Sequence, residues 1–239
     1  MLEYLIGVII GFIFWIIFFS IRKDLRKPMV WSGLMYVVFT SGIFWLSWII
    51  SKFIFIGNPI TPDYWNPNTL FDLGRITNGF AIEDILFMFV IGGLVSFLYE
   101  YLFNKRIRLK KTYKPHIRAV IFGYVIAIII QLIFKPNIFY ILLISASLGA
   151  LILWIERKDL IKHSILGAFI SIVIYVILFS IFNAIFPNFI LNNYNLNALL
   201  GIYIFKIPVE EYFYAFSLGL LWAPLYEYAH GETNTDIRE

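Results

Sequence analysis

Hydrophobic runs separated by short polar or basic stretches occupy almost the whole chain. Each run has about 20 residues, the length that an α-helix needs to cross the apolar core of a bilayer. The pattern therefore predicts an all-α integral membrane protein with about seven transmembrane helices. We place these predicted spans at 2–21, 29–56, 79–103, 116–134, 138–155, 164–186 and 208–229.

Two of the predicted spans begin with an acidic pair and end with the motif Tyr-Glu-Tyr. The pairs are Glu83-Asp84 and Glu210-Glu211, and the same number of residues separates the pairs as separates the two Tyr-Glu-Tyr motifs. This match predicts an internal repeat in which each copy carries two carboxylates at the same depth. The matching segments are FAIEDILFMFVIGGLVSFLYEY at 80–101 and IPVEEYFYAFSLGLLWAPLYEY at 207–228.

A basic motif extends the repeat towards the N-terminus, as RKDLRK at 22–27 and RKDLIK at 157–162. Three spans per repeat would invert the second copy, but one linker helix restores its direction. We therefore predict parallel repeats, with a site at the interface between them, as is common in repeated membrane proteins. The predicted units are repeat A (1–103), a basic loop and linker helix (104–136), repeat B (137–229) and a polar, frayed tail (230–239).

Lysine and arginine are concentrated on one predicted membrane face, in the loops after the first, third and fifth spans. Because positively charged loops face the cytoplasm, we predict an outside N-terminus and a cytoplasmic C-terminus in a multi-pass protein of the cell membrane. The acidic pairs then lie near the outer face. Glu100 and Glu227 lie near the cytoplasmic face, where we interpret them, with their flanking tyrosines, as anchors at the lipid interface.

The composition of the chain excludes several classes of binding site and catalytic chemistry. Only 14% of the residues are charged, against about 25% in soluble domains, and the net charge of +4 lies on a membrane face rather than in a nucleic-acid patch. The absence of cysteine excludes disulfides, thiol catalysis and iron–sulfur clusters. His116, His163 and His230 lie at span ends, so we expect no buried histidine metal site. No nucleotide-binding or nucleophile-elbow motif is present, so we expect no cofactor.

The acidic pairs are the main candidates for chemistry. Ionisable groups in or near hydrocarbon are costly and often functional, although carboxylates in a first helical turn also favour the helix dipole. Two carboxyl groups close together can separate into one acid and one base. The candidate catalytic residues are Glu83, Asp84, Glu210 and Glu211.

Aromatic residues near these pairs are the candidates for substrate binding. A ring face can stabilise a cation, and packing in the bundle is the alternative role for each of them. These residues are Tyr212, Phe213, Tyr214, Phe87 and Trp222.

Small residues and one proline predict how the helices pack. Gly7 and Gly11 form a small-xxx-small pair that lets a neighbouring helix approach closely. Ala215, Gly219 and Ala223 form a similar stripe on the last span, and we expect Pro224 to kink that helix.

The segment Pro208-Val209-Glu210-Glu211-Tyr212-Phe213-Tyr214 resembles the P-x-E-E-x-x-[FY] signature of the lycopene cyclase domain. The preceding Tyr194-Asn195 and Gly201-Ile202 are similar to the loop of that family. The domain occurs as two small membrane subunits in bacteria, as fused tandem copies in archaea and as the cyclase half of fungal bifunctional enzymes. The first copy departs from the signature, with Ala81 in place of proline and Asp84 in place of the second glutamate.

The resemblance implies a fused tandem lycopene cyclase, an intramolecular lyase or isomerase that acts on an apolar carotenoid within the membrane. It implies cofactor-free, acid–base cyclisation of an acyclic end group, as in the conversion of lycopene to γ- or β-carotene. Glu210, Glu211 and Glu83 would then form the acid–base set, with Asp84 in support and the two roles unassigned.

Two other functions stay open from the sequence. One is a non-catalytic module that binds a carotenoid or isoprenoid lipid or assembles with other carotenoid enzymes, and the other is a small proton-coupled transporter. The expected partners are the apolar substrate and membrane lipids, with no nucleic acid. The substrate end group, the number of rings and homo-oligomerisation are also open.

Overall fold

The computed structural model describes residues 3–53, 64–77, 81–109, 113–134 and 138–236, and within them the chain is nearly all α-helical. An apolar helix lies in each of the seven predicted segments. The helices are α1 (Glu3–Ile21), α2 (Arg26–Phe53), α3 (Leu73–Ile76), α4 (Ile82–Leu102), α5 (Arg118–Phe134), α6 (Ile138–Glu156), α7 (Ile161–Ile185), α8 (Phe189–Asn193), α9 (Val209–Trp222) and α10 (Leu225–His230).

Five helices in the described part of the chain are long and apolar enough to cross a membrane, namely α1, α2, α4, α6 and α7. Helix α5 is apolar but has only 17 residues. The last predicted span is divided, because α9 ends at Trp222 and α10 resumes at Leu225. Pro224, which has no N–H to donate, lies at this break, so the predicted kink is confirmed. The total of seven spans stays a prediction.

Four short strands interrupt the helical fold. Strand β1 (Lys105–Leu109) pairs antiparallel with β4 (Glu232–Asp236), and β2 (Tyr203–Ile204) pairs with β3 (Ile207–Pro208). The prediction that the C-terminal tail is frayed is therefore wrong for 232–236. Backbone hydrogen bonds to β1 order this stretch, a pairing between distant segments that its polar composition does not reveal.

The two matched halves pack their helices in the same way. In the first half α4 packs against α1 and α2, and in the second half α9 packs against α6 and α7. Helices α4 and α9 also contact each other, so the two helices that begin with acidic pairs lie at the centre of the bundle. The largest buried cluster surrounds them and includes Phe39, Leu221 and Trp222.

Close packing between α7 and α9 confirms the predicted small-residue stripe. A Cβ atom added to Gly219 would lie 2.5 Å from the Cα atom of Ala168 and 2.8 Å from the carbonyl oxygen of Gly167. Ala223 fills the space next to Gly167, and Ala215 is buried on the same helix. The small side chains let the two backbones approach, which apolar helices in lipid need for tight association.

Gly219→Ala is expected to destabilise the protein by about 1–3 kcal/mol, the cost of overpacking a filled core. The added methyl group meets backbone atoms, which cannot move aside as a side chain can. Gly123→Ala is the matched control, because a Cβ atom there would lie at least 3.3 Å from its neighbours. Thermal unfolding of the detergent-solubilised variants measures both, and equal melting temperatures would contradict the close α7–α9 packing.

Candidate active site

A cavity of about 270 Å³ lies between α1, α2, α4, α6, α7 and α9. Its walls are mostly aliphatic and aromatic, and segments that include Tyr64, Trp65, Phe189 and Tyr194 contribute to it from the loops. Two carboxylic acids line this cavity, Asp84 from the first half and Glu211 from the second. Each half therefore contributes one carboxylic acid to a shared, mostly apolar cavity.

The two members of each acidic pair have different environments. Asp84 and Glu211 are both the third residue of their helices. Glu83 and Glu210 come one residue earlier, so their side chains point in a direction about 100° away around the helix. Glu83 accepts a hydrogen bond from the backbone N–H of Leu70 at 2.7 Å, and Glu210 accepts one from the N–H of Leu200. The first carboxylate of each pair thus binds the preceding loop, and the second lines the cavity.

Asp84 accepts hydrogen bonds from a phenol, a backbone N–H and the side chain of Trp65. The hydroxyl of Tyr4 donates to Oδ1 at 2.7 Å, and the backbone N–H of Ala81 donates to Oδ2 at 2.8 Å. The second bond caps the start of α4, because it satisfies an N–H that lacks a partner within the helix. Tyr4 comes from α1, so the position of Asp84 depends on the packing of α1 against α4.

Glu211 accepts hydrogen bonds from three phenols. Tyr194 donates to Oε1 at 2.9 Å, Tyr64 donates to the same oxygen at 3.4 Å, and Tyr175 donates to Oε2. Burial, followed by the negative charge of Glu211, raises the pKa of Tyr64 and Tyr194 well above the usual value. Both phenols therefore keep their protons and remain donors, which favours the ionised form of the carboxylate.

The family model described as Lycopene cyclase matches residues 3–102 and 137–229. The chain belongs to the lycopene cyclase family. The two matched segments are consistent with a tandem pair of lycopene cyclase domains. No curated protein and no solved structure matches the chain.

Membership of the lycopene cyclase family supports a carotenoid cyclase-type role. Together with the long apolar helices, it also indicates a membrane protein. The cavity that Asp84 and Glu211 line is the candidate site for such a role.

Only some of the aromatic residues predicted to bind substrate line the cavity. Phe87 and Tyr214 do so, and the Tyr214 hydroxyl lies 2.7 Å from that of Tyr36. Three others lie away from it, because successive residues of α9 point in different directions. Tyr212 donates to the Ile204 carbonyl at 2.9 Å, Phe213 is 53% exposed, and Trp222 donates to the Ser32 carbonyl at 3.0 Å.

The loops that precede the acidic pairs of the two halves pair with each other. Trp65 and Tyr194 form an isolated antiparallel bridge. The N–H of Asn66 donates to the Asn193 carbonyl at 2.8 Å, and the N–H of Asn195 donates to the Tyr64 carbonyl at 3.0 Å. This pairing positions two of the three phenols that bind Glu211, Tyr64 and Tyr194. Residues 54–56, at the end of the second predicted span, and 57–63, in the loop that follows it, lie outside the described residues.

None of the phenols that bind the carboxylates is among the residues predicted to bind substrate. Tyr175 is the single tyrosine of α7, and a phenol within an aliphatic helix usually has a hydrogen-bond partner. That signal was available in the sequence. Tyr4 and Tyr64 carried no comparable signal, because tyrosine is common where a helix meets the membrane surface.

A second ionisable cluster lies at the opposite end of α4. His163 Nε2 lies 3.3 Å from Glu100 Oε1, and His163 Nδ1 lies 3.5 Å from Glu227 Oε1. All three side chains are buried, and the ring of Tyr99 stacks on the imidazole with centroids 4.0 Å apart. The interpretation of Glu100 and Glu227 as anchors at the lipid interface is therefore wrong.

The same cluster corrects the expectation that histidine forms no buried metal-binding set. One ligand atom from each of Glu100, His163 and Glu227 lies within 4.8 Å of the others, so these residues could hold a metal ion. His163 does lie near the start of α7, as the sequence indicates. Neighbouring helices bury it there, which position along a hydrophobic segment does not reveal.

The first arginine of each basic motif contacts a helix that carries a Tyr-Glu-Tyr motif. It binds the aspartate two residues further on through two nitrogens at 2.7–2.9 Å. It also donates to the backbone oxygen of the glutamate in the Tyr-Glu-Tyr motif. The two sets are Arg22 with Asp24 and Glu100, and Arg157 with Asp159 and Glu227.

Proposed function

We propose that this protein cyclises the acyclic end group of a carotenoid of the lycopene type by proton transfer between Asp84 and Glu211. The observation that carries the proposal is the shared cavity, in which one carboxylic acid from each half lines an apolar and aromatic space. Family membership supplies the class of substrate. The substrate is drawn from the bilayer, and the reaction uses neither a cofactor nor a metal ion.

The chemistry needs one acid and one base. The acid adds its proton to the terminal carbon–carbon double bond of the acyclic end and leaves a tertiary carbocation. The neighbouring double bond attacks that cation, which closes a six-membered ring and moves the positive charge onto the ring. The base then removes a ring proton, and a ring double bond forms. One proton enters and one leaves, so the product is an isomer of the substrate.

We assign Asp84 as the acid and Glu211 as the base. Three phenols donate to Glu211, and hydrogen bonds to a carboxylate favour its ionised form. Asp84 accepts from one phenol and from two N–H groups, those of the Ala81 backbone and the Trp65 indole, which are weaker donors than a phenol, so less stabilisation opposes its protonation. Each turnover leaves Glu211 protonated and Asp84 ionised, and a proton returns to Asp84 before the next turnover.

The aromatic walls suit a cationic intermediate. Phe87, Tyr214, Trp65 and Tyr4 line the cavity with both carboxylates, and ring faces attract a desolvated cation. Apolar walls also exclude water, which would otherwise capture the cation and give an alcohol. These properties favour ring closure over hydration.

We place the protein as a multi-pass protein of the cell membrane with seven spans, an outside N-terminus and a cytoplasmic C-terminus. We also place the two repeats in parallel, related by a pseudo-two-fold axis along the membrane normal. The paired loop residues Trp65 and Tyr194 support this arrangement, as do the matching contacts of Arg22 and Arg157. The asymmetry of basic loops supports the orientation.

Expression of the chain in cells that accumulate lycopene tests the function. Cells that express it are expected to contain γ- or β-carotene with the mass of lycopene, and cells with the empty vector are expected to retain lycopene. Chromatography with mass spectrometry distinguishes the pigments. Unchanged lycopene, with the protein present in the membrane fraction, would rule out lycopene as the substrate.

A further inference from the structure

The cavity opens sideways, between α1 and α7. Phe14 on α1 and Ile181 and Ile185 on α7 line the cavity, yet their exposed fractions are 37%, 49% and 52%. A side chain that borders a cavity and is also exposed outside marks the edge of an opening. These three residues belong to two neighbouring helices, so they locate the edge of the opening between those helices.

Helix packing explains why the opening lies there. Helix α1 packs chiefly on α4, whereas α7 packs on α9 and α4. Where α1 and α7 meet, Gly7 faces the ring of Phe182, and a Cβ atom on Gly7 would lie 3.0 Å from that ring. The glycine therefore makes room for Phe182 rather than for close contact of the two backbones.

The surface around the opening is apolar. Ile6, Ile9 and Ile13 on α1 and Ile177 on α7 are large hydrophobic residues with exposed side chains. Exposed aliphatic helix faces of this kind are suited to contact with lipid chains. The opening thus faces hydrocarbon rather than water.

The size of the cavity limits what it can enclose. Its volume of about 270 Å³ is below the range of about 300–1,000 Å³ for pockets that hold drug-sized ligands. It can hold an end group, but a carotenoid is many times longer than such a group. The rest of the chain must therefore pass through the opening.

We propose that the opening between α1 and α7 is a lateral portal for one end of a linear polyisoprenoid, whose remainder stays in the bilayer. The proposal rests on the proposed function and specifies how its substrate binds. Gly7 and Phe182 form the narrow part of the portal. Phe14, Ile181 and Ile185 contact the part of the polyisoprenoid that extends from the cavity into the bilayer. Only the end group that is bound in the cavity reaches Asp84 and Glu211, so the two ends of one carotenoid are cyclised in separate binding events.

The absence of native cysteine allows a reversible test. Phe14→Cys places a thiol at the portal, and Phe12→Cys is the matched control, because Phe12 is equally exposed at 37% on the same helix but does not line the cavity. Each variant is treated in membranes with benzyl methanethiosulfonate, and lycopene conversion is compared with that of its own untreated sample. Dithiothreitol then removes the label.

Labelling of Phe14→Cys is expected to lower conversion by at least about tenfold, because displacement of a substrate by 1 Å can cost more than that, and dithiothreitol is expected to restore it. Labelling of Phe12→Cys is expected to change conversion less than about twofold, since the label lies outside the portal. Complete labelling at both positions with equal effects, or with no effect at either, would contradict the portal.

A binding readout separates failure of the portal from failure of the proposed function. A photoreactive benzophenone amino acid replaces Phe14 or Phe12, and the proteins are irradiated in lipid vesicles that contain the linear polyisoprenoid squalene. More squalene adduct is expected at position 14 than at position 12, with a reduction when lycopene is added. This result in a chain that does not convert lycopene would support the portal and reject cyclisation. Equal adduct at both positions would reject the portal.

Discussion

Glu211→Gln is expected to lower the rate of ring formation by about 100- to 10,000-fold, the range that a general acid–base group contributes. An amide cannot take the ring proton, so the cationic intermediate has no base beside it. The amide oxygen can still accept from Tyr194 and Tyr64, which donate to Oε1 in the native protein, so the fold is expected to persist. Pigment analysis of lycopene-accumulating cells, normalised to protein in the membrane, measures the effect.

Glu210→Gln is the matched control for this prediction. Glu210 is buried and binds the Leu200 N–H through one oxygen, which the glutamine amide can replace. Activity is expected to stay within about tenfold of the native level, because one weakened hydrogen bond costs roughly 1 kcal/mol. Loss of activity in Glu210→Gln, with activity retained in Glu211→Gln, would reverse the roles of the two residues.

Asp84→Asn is expected to lower ring formation by a similar factor, about 100- to 10,000-fold. Asparagine has no carboxylic proton to give to the terminal double bond. Its side chain can still accept from the N–H of Ala81, the bond that caps α4, so the start of the helix is expected to stay ordered. Circular dichroism of the solubilised variant checks the helix content, and pigment conversion measures the activity.

Two further variants test whether the loss of activity in Asp84→Asn is due to the loss of the acid at this position. Glu83→Gln retains an oxygen for the Leu70 N–H and is expected to keep most of the activity. Asp84→Glu keeps the acid but lengthens the side chain, and it is expected to retain more activity than Asp84→Asn. An active Asp84→Asn protein would show that the first half supplies no essential acid.

The positions of the helices were predictable from the sequence because each hydrophobic run is long enough to cross a bilayer. The acidic pairs were also recognisable, since both head such a run at the same place in a repeat. Which carboxylate of each pair lines the cavity was not predictable. That depends on the direction in which neighbouring residues point, about 100° apart on a helix, relative to helices elsewhere in the chain.

The phenols that donate to Glu211 could not be predicted from the sequence either. Tyr64, Tyr175 and Tyr194 come from two loops and a helix, and the pairing of the loops through Trp65 and Tyr194 brings Tyr64 and Tyr194 together. The position of His163 was unpredictable for a different reason. In the alignment of the two basic motifs, its place in the first half is taken by Pro28, so the repeat gave no indication that this residue lies beside Glu100 and Glu227.

Asp84 and Glu211 are proposed to act together in one cavity that the two halves share. The decisive measurement is the rate of lycopene conversion in membranes containing Asp84→Asn, Glu211→Gln or the double variant, at equal protein content. Each single variant is expected to lose nearly all activity and the double variant to lose little more, because residues that act as a unit are not additive. Substantial activity in each single variant, with none in the double variant, would show two independent sites and would rule out a shared one.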